Sequence, residues 1–465
     1  MTHDLTRDPI AKSIALFALP LLGTSVAQQL YGTVDLIFVG NALGPDAMAA
    51  LGISIMLITC LIGFFGGVSV GVNVVVAQCV GEASGAKTGR AIGTSLVTGL
   101  VGGVALALVG YALAPLYLTW MATPAGVVDM ALVYLRVYFL SMVSVVMYNQ
   151  CAGILRGLGD SRTPLLAQVV GGLCNIAANA ALLVALGMGV EGSALATLVS
   201  QTVAALICVR AIVHHGRAGS GVVDKAADEA AAPTAGAGIR PLRHLLAFDP
   251  ALLRRILVVG VPAGLQSLVI TLSNVFVQHQ INLLGTDAIA AFSVYYKVEL
   301  PIYYALVSIG QAATTFVAQN CASRLDERAH DGTRTCLVMG VGTAIVLAAA
   351  LVAFGHEVFW LFTQDEQVIE LGRGITRITF PFYWVYAFME VYAAAMRGRG
   401  NSVAPMAVIM LNVFGLRTTL LFALTARGVT AGAIAVTYPI TWAASALAMM
   451  ACHHFLVVRR AAARG

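Results

Sequence analysis

One carboxylate is out of keeping with its surroundings. Asp35 lies in Tyr31-Gly32-Thr33-Val34-Asp35-Leu36-Ile37-Phe38-Val39-Gly40, an apolar run with no basic residue near it. Low dielectric disfavours the charged form of an acid, so a carboxylate placed this way suits taking up a proton facing one side and releasing it facing the other. Gln28 is seven residues earlier, on the same helical face. Other charges also interrupt apolar runs: Lys297, Glu299, Glu390 and Arg417, with Arg136 and Arg377 nearer the run ends. Each costs about 2.5–3.5 kcal/mol at the centre of a membrane span, so each needs a reason. Lys297 and Glu299, two apart, cannot share a helix face. Each therefore partners another helix or lines water. Glu390 has no acidic counterpart in the first half of the chain, where Asn149 stands, and this suits a cavity. Arg136 and Arg377 read as snorkelling or structural pairing near an interface.

The elements that hold these residues follow from composition. Hydrophobic residues make up 59% of the chain and charged residues 11%, against about 25% charge in soluble domains. Runs of about 20 apolar residues, long enough to span a bilayer, fall at 14–39, 50–76, 92–117, 132–154, 164–186 and 190–213. Six more fall at 256–283, 290–318, 334–361, 373–396, 404–426 and 429–458. The ten-residue alternating segments of a barrel are absent. The expected fold is an all-α integral membrane protein of twelve transmembrane helices.

The basic residues set the topology. Arg7, Lys12, Lys87, Arg90, Arg156, Arg162, Arg217, Arg254, Arg255, Arg324, Arg328, Arg397 and Arg399 share one side. Asp46, Asp129, Glu191, Asp287, Asp365 and Glu366 share the other, with Arg427 the clear basic exception and Arg373 a borderline one. The positive-inside rule then places both termini in the cytoplasm, and the chain is expected to be a multi-pass protein of the cytoplasmic (inner) membrane. The net charge of +5 reads as a topology signal, and no nucleic-acid surface is inferred from it.

The chain also repeats itself. Arg156-Gly157-Leu158-Gly159-Asp160-Ser161-Arg162-Thr163-Pro164 recurs as Arg397-Gly398-Arg399-Gly400-Asn401-Ser402-Val403-Ala404-Pro405, an offset of 241 residues. The same offset relates Gln78 to Gln319, Arg136 to Arg377 and the segment from Gly44 to that from Gly285. Such self-similarity marks two copies of one unit. Six spans per copy insert both halves the same way up, giving parallel repeats about an axis along the membrane normal. The expected domains are an N-terminal six-helix lobe over 1–213, a cytoplasmic linker over 214–245 and a C-terminal six-helix lobe over 246–465. The linker is rich in Ala, Gly and acid, a composition that cannot bury a core.

Several motif-like patterns yield to plainer readings. Gly67-Val68-Ser69-Val70-Gly71 fits G-x-S-x-G, yet lies within a span, where Gly67 and Gly71 suit close helix packing. Gly187-Met188-Gly189-Val190-Glu191-Gly192 lacks the preceding strand of a dinucleotide site and reads as a turn. Eight single cysteines imply free thiols, with neither a disulfide framework nor a zinc site. No Walker A motif and no convergent nucleophile, base or metal set is present, so neither an enzyme nor an ATP-driven pump is expected, and no cofactor. The first apolar run continues to Val39, too long for a signal peptide, so the first helix is expected to be retained.

At these residues the chain resembles the multidrug and toxic compound extrusion (MATE) family of secondary transporters. The resemblance rests on Pro20 followed by Val34-Asp35, the R-G-x-G-D-S-x-x-P loop and its second copy, Asn175-Ile176-Ala177-Ala178-Asn179, the segment from Gly187 to Thr197, and Gly310-Gln311 through Gln319-Asn320. It covers nearly the whole chain except the linker. It implies two six-helix lobes in a V and an antiporter exporting bulky, often cationic organic compounds by alternating access. It also implies that Asp35 couples the driving ion, that Asn175, Asn179 and Thr197 are its polar partners, and that Pro20 bends the first helix. Some members carry a second carboxylate where this chain has Asn179, and no acid appears in span 7, where Gln266 is an early polar residue. The resemblance is therefore nearer the DinF-type branch, with H⁺ as the driving ion and Na⁺ as the alternative. Gln266, Lys297, Glu299 and Glu390 are the C-terminal cavity candidates. Tyr31, Met142, Tyr148, Tyr295, Trp384 and Tyr386 would suit flat, varied cations, with packing the plainer role for most. A lipid-linked oligosaccharide flippase of the same superfamily would show more basic residues in the cavity. The expected protein is a monomer in the bilayer with small-molecule drug substrates.

Overall fold

The computed structural model describes residues 5–121, 123–218, 247–426 and 428–462. Most of the expected linker lies outside the described residues, as does Arg427. Among the described residues every regular element is helical. The first half has α1 Ile10–Leu43, α2 Pro45–Gly81, α3 Gly85–Trp120, α4 Ala125–Gly157, α5 Arg162–Asn179 and α6 Val190–Ala218. The second has α7 Pro250–Asn282, α8 Thr286–Ala322, α9 Asp326–Ala353 and the short α10 Gly355–Trp360. It continues with α11 Glu366–Thr379, α12 Tyr383–Gly398, α13 Val403–Ile409, α14 Arg417–Thr425 and α15 Ala431–Ala462.

Eleven candidate spans among the described residues are long and apolar enough to cross a membrane. The helices outrun the apolar runs that announce them. α1 has 34 residues, about 51 Å at 1.5 Å per residue, against a hydrocarbon core of about 30 Å. Hydropathy marks only the part in lipid. Large side chains such as Leu19, Leu108 and Val346 remain well exposed on the surface, an apolar skin that fits a bilayer.

One span differs from its expected form. The run at 373–396 is not a single helix: α11 and α12 meet at a 3₁₀ turn, Phe380–Phe382. Pro381 has no N–H to donate, and its ring collides with the carbonyl four residues earlier. The matching position in the first half is Leu140, and α4 runs through it unbroken. Another local feature occurs in both halves, though not at matching positions. α5 passes into a π-helical segment, Ala180–Ala185, and α13 into another, Met410–Leu416.

The recurring glycine loop has a structural basis. Gly159 and Gly400 sit at φ 86° and 84°, a region that only glycine enters freely. A Cβ on Gly157 would meet Val76 and the Asn73 carbonyl; one on Gly398 would meet Val317 and the Thr314 carbonyl. Asp160 then caps α5, its Oδ1 accepting from Arg162 N and Thr163 N at 3.0 Å each. Asn401 serves the second copy by accepting from Ala404 N at 3.1 Å. The motif is a folding device, made twice.

The chain divides into two compact units, one holding Leu19–Gly264 and the other Leu5–Ala18 with the chain from Leu265 onward. The first unit has cores around Val72–Tyr148–Ile256 and Leu51–Tyr134–Phe139. The second has an aromatic core around Phe292, Tyr295, Phe380, Tyr383 and Trp442.

Candidate functional site

Three helix faces in the first unit bring their polar residues to one place. Tyr31 and Asp35 are four apart on α1, as are Asn175 and Asn179 on α5, and Ser193 and Thr197 on α6. This spacing stacks side chains on one face of a helix. Asp35 is 8% exposed, Asn175 and Asn179 are wholly buried. Asn179 lies at the last α-helical turn before the π segment, a local widening often found at functional positions.

The hydrogen bonds form one directed chain. Asn179 Nδ2 donates to Asp35 Oδ1 at 3.0 Å and to Asn175 Oδ1 at 3.0 Å. Asn175 Nδ2 donates to Tyr31 Oη at 3.3 Å. Ser200 Oγ donates to the Thr197 carbonyl at 3.0 Å, so the Tyr31–Ser200 contact of 3.2 Å runs from the phenol to the serine. Ser193 Oγ adds a second donor to Asp35 Oδ1 at 2.9 Å. The amide orientation of Asn179 is fixed by this arrangement, since turning it over would set its oxygen against two other oxygens. Both described donors to the carboxylate reach Oδ1, and Oδ2 takes none of the described hydrogen bonds. Asn179 Oδ1 is buried without a partner. Among the described residues, every hydrogen-bond partner of Asp35 is neutral. Such an arrangement can accept a proton at Oδ2 while Oδ1 stays held.

Ser193 escaped the sequence reading because, between Gly192 and Ala194, it looks like a small packing residue. Gln28, placed on the face of Asp35 by its spacing, is exposed. Pro20 lies inside α1, and Thr24 Oγ1 donates back to its carbonyl at 2.9 Å. Thr197 is buried beside Ser200.

The second unit holds two further acids within its spans in different settings, Glu390 buried and Glu299 half-buried. Glu390 is paired with Arg397 Nη2 at 2.8 Å, two turns along α12. Glu299 on α8 accepts from the Tyr383 hydroxyl and lies within the electrostatic reach of Arg417. The Arg417 guanidinium covers the Tyr438 ring at 4.6 Å and donates to Thr441 at 3.3 Å. Lys297 is exposed, on a different face from Glu299. Gln266 is buried on α7, its Oε1 without a partner. Arg136 lies over the Tyr111 ring at 5.2 Å, whereas Arg377 is exposed.

Of the residues read as suiting flat cations, Met142, Tyr148 and Tyr295 are enclosed in the cores. Tyr148 donates to the Pro164 carbonyl at 3.2 Å. Tyr386 packs against Tyr383 and Trp442, and Trp384 is 42% exposed. Tyr31 belongs to the Asp35 chain. The G-x-S-x-G pattern is a packing face: a Cβ on Gly67 would strike the Gly264 backbone, and one on Gly71 the Ile256 carbonyl. Gly187, at φ 62°, makes the turn into α6. All eight cysteines are free.

The MatE family model matches residues 20–181 and 262–422, two stretches spaced like the internal repeat. The chain is 26% identical over 428 residues to YoeA, a probable multidrug resistance protein of Bacillus subtilis, covering 91% of this chain and 89% of that protein. It is 23% identical over 417 residues to a probable multidrug resistance protein NorM of Thermotoga maritima, covering 89% and 85%. Among solved structures, it is similar to a crystal structure of MATE in the straight conformation, with a TM-score of 0.86, 20% identity and 99% of each chain covered.

Proposed function

Since the chain belongs to the MatE family, and is thus a multi-pass membrane transporter rather than an enzyme, we propose that it is a multidrug efflux antiporter driven by H⁺ through Asp35. Its relatives are named for multidrug resistance, which supports a substrate range of bulky, often cationic organic compounds. The observation that carries the choice of ion is the donor set. Asp35 receives N–H from Asn179 and O–H from Ser193. A metal cation needs oxygen lone pairs turned toward it, whereas here the neighbouring groups turn hydrogens toward the carboxylate. A proton needs only one free oxygen, and Oδ2 has none of the described donors.

Asp35, Glu299 and Glu390 also differ in what opposes their protonation. Glu390 is ion-paired, and Glu299 shares its unit with the Arg417 cation. Asp35 has only neutral partners among the described residues, so its charge can be removed without stranding a buried cation. Protonation removes a charge that water or a cationic substrate was solvating, and α1 can repack around Pro20, where a backbone hydrogen bond is missing. Proton and substrate then exclude one another, and exclusion gives exchange. The cytoplasmic membrane, with both termini inside, is the setting that the positive-inside distribution supports.

The test is transport in proteoliposomes with the two gradients imposed separately. Uptake of a cationic dye should follow a pH gradient without Na⁺. Uptake that follows a Na⁺ gradient at equal pH on both sides would overturn the assignment.

A further inference from the structure

Near its last turn, α1 lines a cavity that the Asp35 chain does not include. The cavity has a volume of about 450 Å³ and is bounded by Ile37, Phe38, Asn41 and Ala42 of α1 and by Leu183 and Val184 of the π segment. All six residues lie in the first unit. At about 30 Å³ of liquid per molecule, it has room for several waters. Both walls end nearby, α1 at Leu43 and the π segment at Ala185. The apolar run of α1 stops at Val39, so Asn41 and Ala42 stand at its border with water. Asn41 is exposed there. Its Nδ2 donates to the Ile37 carbonyl at 2.9 Å, and none of the described hydrogen bonds uses its Oδ1. An amide oxygen left over at the mouth suits water and is costly against acyl chains. On the topology proposed above, this is the outer end of α1.

The floor of the cavity adjoins the carboxylate. Phe38 is three residues beyond Asp35, and Leu183 is four beyond Asn179. Such spacings set side chains one above the other on a helix, so Phe38 and Leu183 lie one turn outward of the 3.0 Å Asp35–Asn179 hydrogen bond. Of the six lining residues, these two alone belong to the apolar cluster around Leu51, Tyr134 and Phe139, Leu183 as a buried member and Phe38 packed against it. One layer of hydrocarbon therefore stands between the cavity and the proton site. Toward the other end of α1 the surroundings are polar, where Asn175 continues the chain to Tyr31.

We infer that this cavity is the outer access of the proton site and that Phe38 and Leu183 are its plug. An apolar constriction offers water no hydrogen-bond partners, so a file of water breaks there and the passage closes by dewetting. Protons move along such files, and a break in the file stops them. The plug thus keeps Asp35 from exchanging freely with the outer solution. Without it the carboxylate would meet that solution continuously, and H⁺ would enter without a substrate leaving. Coupling is then a property of two side chains that never touch the proton, as well as of the acid that carries it. This inference rests on the proposed role of Asp35 and adds the residues that make its exchange with the outside conditional.

Proteoliposomes of the full chain, holding a trapped pH-sensitive dye and clamped with K⁺ and valinomycin, test it with no substrate present. The native protein should hold an imposed pH difference almost as long as empty liposomes. Phe38→Ala should raise the substrate-free H⁺ flux roughly tenfold or more, the factor that about 1.4 kcal/mol off the barrier gives. Leu183→Ala should do the same and carries the test if the first variant does not fold. Phe38→Leu, which keeps the passage filled with hydrocarbon, should restore the barrier. Adding Asp35→Asn to Phe38→Ala should remove the extra flux, because the opened path still leads through the carboxylate. Native flux in a variant that elutes as a folded protein would overturn the plug. Extra flux that survives Asp35→Asn would overturn the access, since the protons would then bypass the site. A Na⁺-driven cycle would show instead in the gradient experiment on the native protein, which needs substrate and neither variant.

Discussion

At the scale of single residues, the site depends on what Asn179 presents to Asp35. Asp35→Asn keeps the shape and the hydrogen bonds but removes the titrating proton. We expect drug resistance in an efflux-deficient host to fall to the level of an empty vector, with the same amount of protein in the membrane by immunoblot; full resistance would remove Asp35 from the mechanism. Asn179→Asp replaces an N–H donor by an oxygen acceptor against a second carboxylate, and supplies two lone-pair donors where there was one. The variant is expected to acquire Na⁺ dependence in proteoliposomes or to lose transport; unaltered proton-driven exchange would mean that this residue does not select the ion. Part of the site was legible: Asp35 stood out as an acid in an apolar run, and the family resemblance pointed to Asn175, Asn179 and Thr197, of which Asn179 bonds the carboxylate. The cation beside Glu390 was legible as well, since Arg397 lies seven residues on, two turns of the same helix. What was not legible is orientation: nothing in the sequence says that Ser193 donates to the carboxylate.

At the scale of elements, the repeated loop supports a prediction that needs no transport assay. Gly157 and Gly398 each lie where a side chain would meet both a backbone carbonyl and a valine of the neighbouring helix. Overpacking of this kind costs about 1–3 kcal/mol and sometimes more. Gly157→Val and Gly398→Val should therefore lower thermal stability in detergent by similar amounts; an effect confined to one copy would show that the repeat is not structurally equivalent there. Asp160→Ala removes a helix cap worth about 1 kcal/mol, and should lower the melting temperature slightly while leaving transport intact. The elements were also unequally legible. Long apolar runs disclose the spans, and Pro381 was a readable sign that the tenth would break. The π segments after Asn179 and before Arg417 share no signature that would have announced them: the first holds neither proline nor glycine, the second holds Gly415.

At the scale of the whole molecule, the number of free acids fixes how transport responds to voltage. If Asp35 is the one carboxylate that exchanges a proton, each cycle carries one proton inward. Expelling a neutral compound then moves one net charge, and about 150 mV supplies roughly 3.5 kcal/mol. That sustains a concentration ratio of about 300-fold. Expelling a monovalent cation moves no net charge, so membrane voltage should do nothing and the pH difference everything. Valinomycin-clamped proteoliposomes separate these cases: the steady-state ratio of a neutral substrate should rise with the imposed potential, and that of a monovalent dye should not. A dye whose ratio also rises with potential requires a second proton per cycle. The residue to replace next would then be Glu299, because its hydroxyl partner Tyr383 leaves it freer than Glu390, which Arg397 already neutralises.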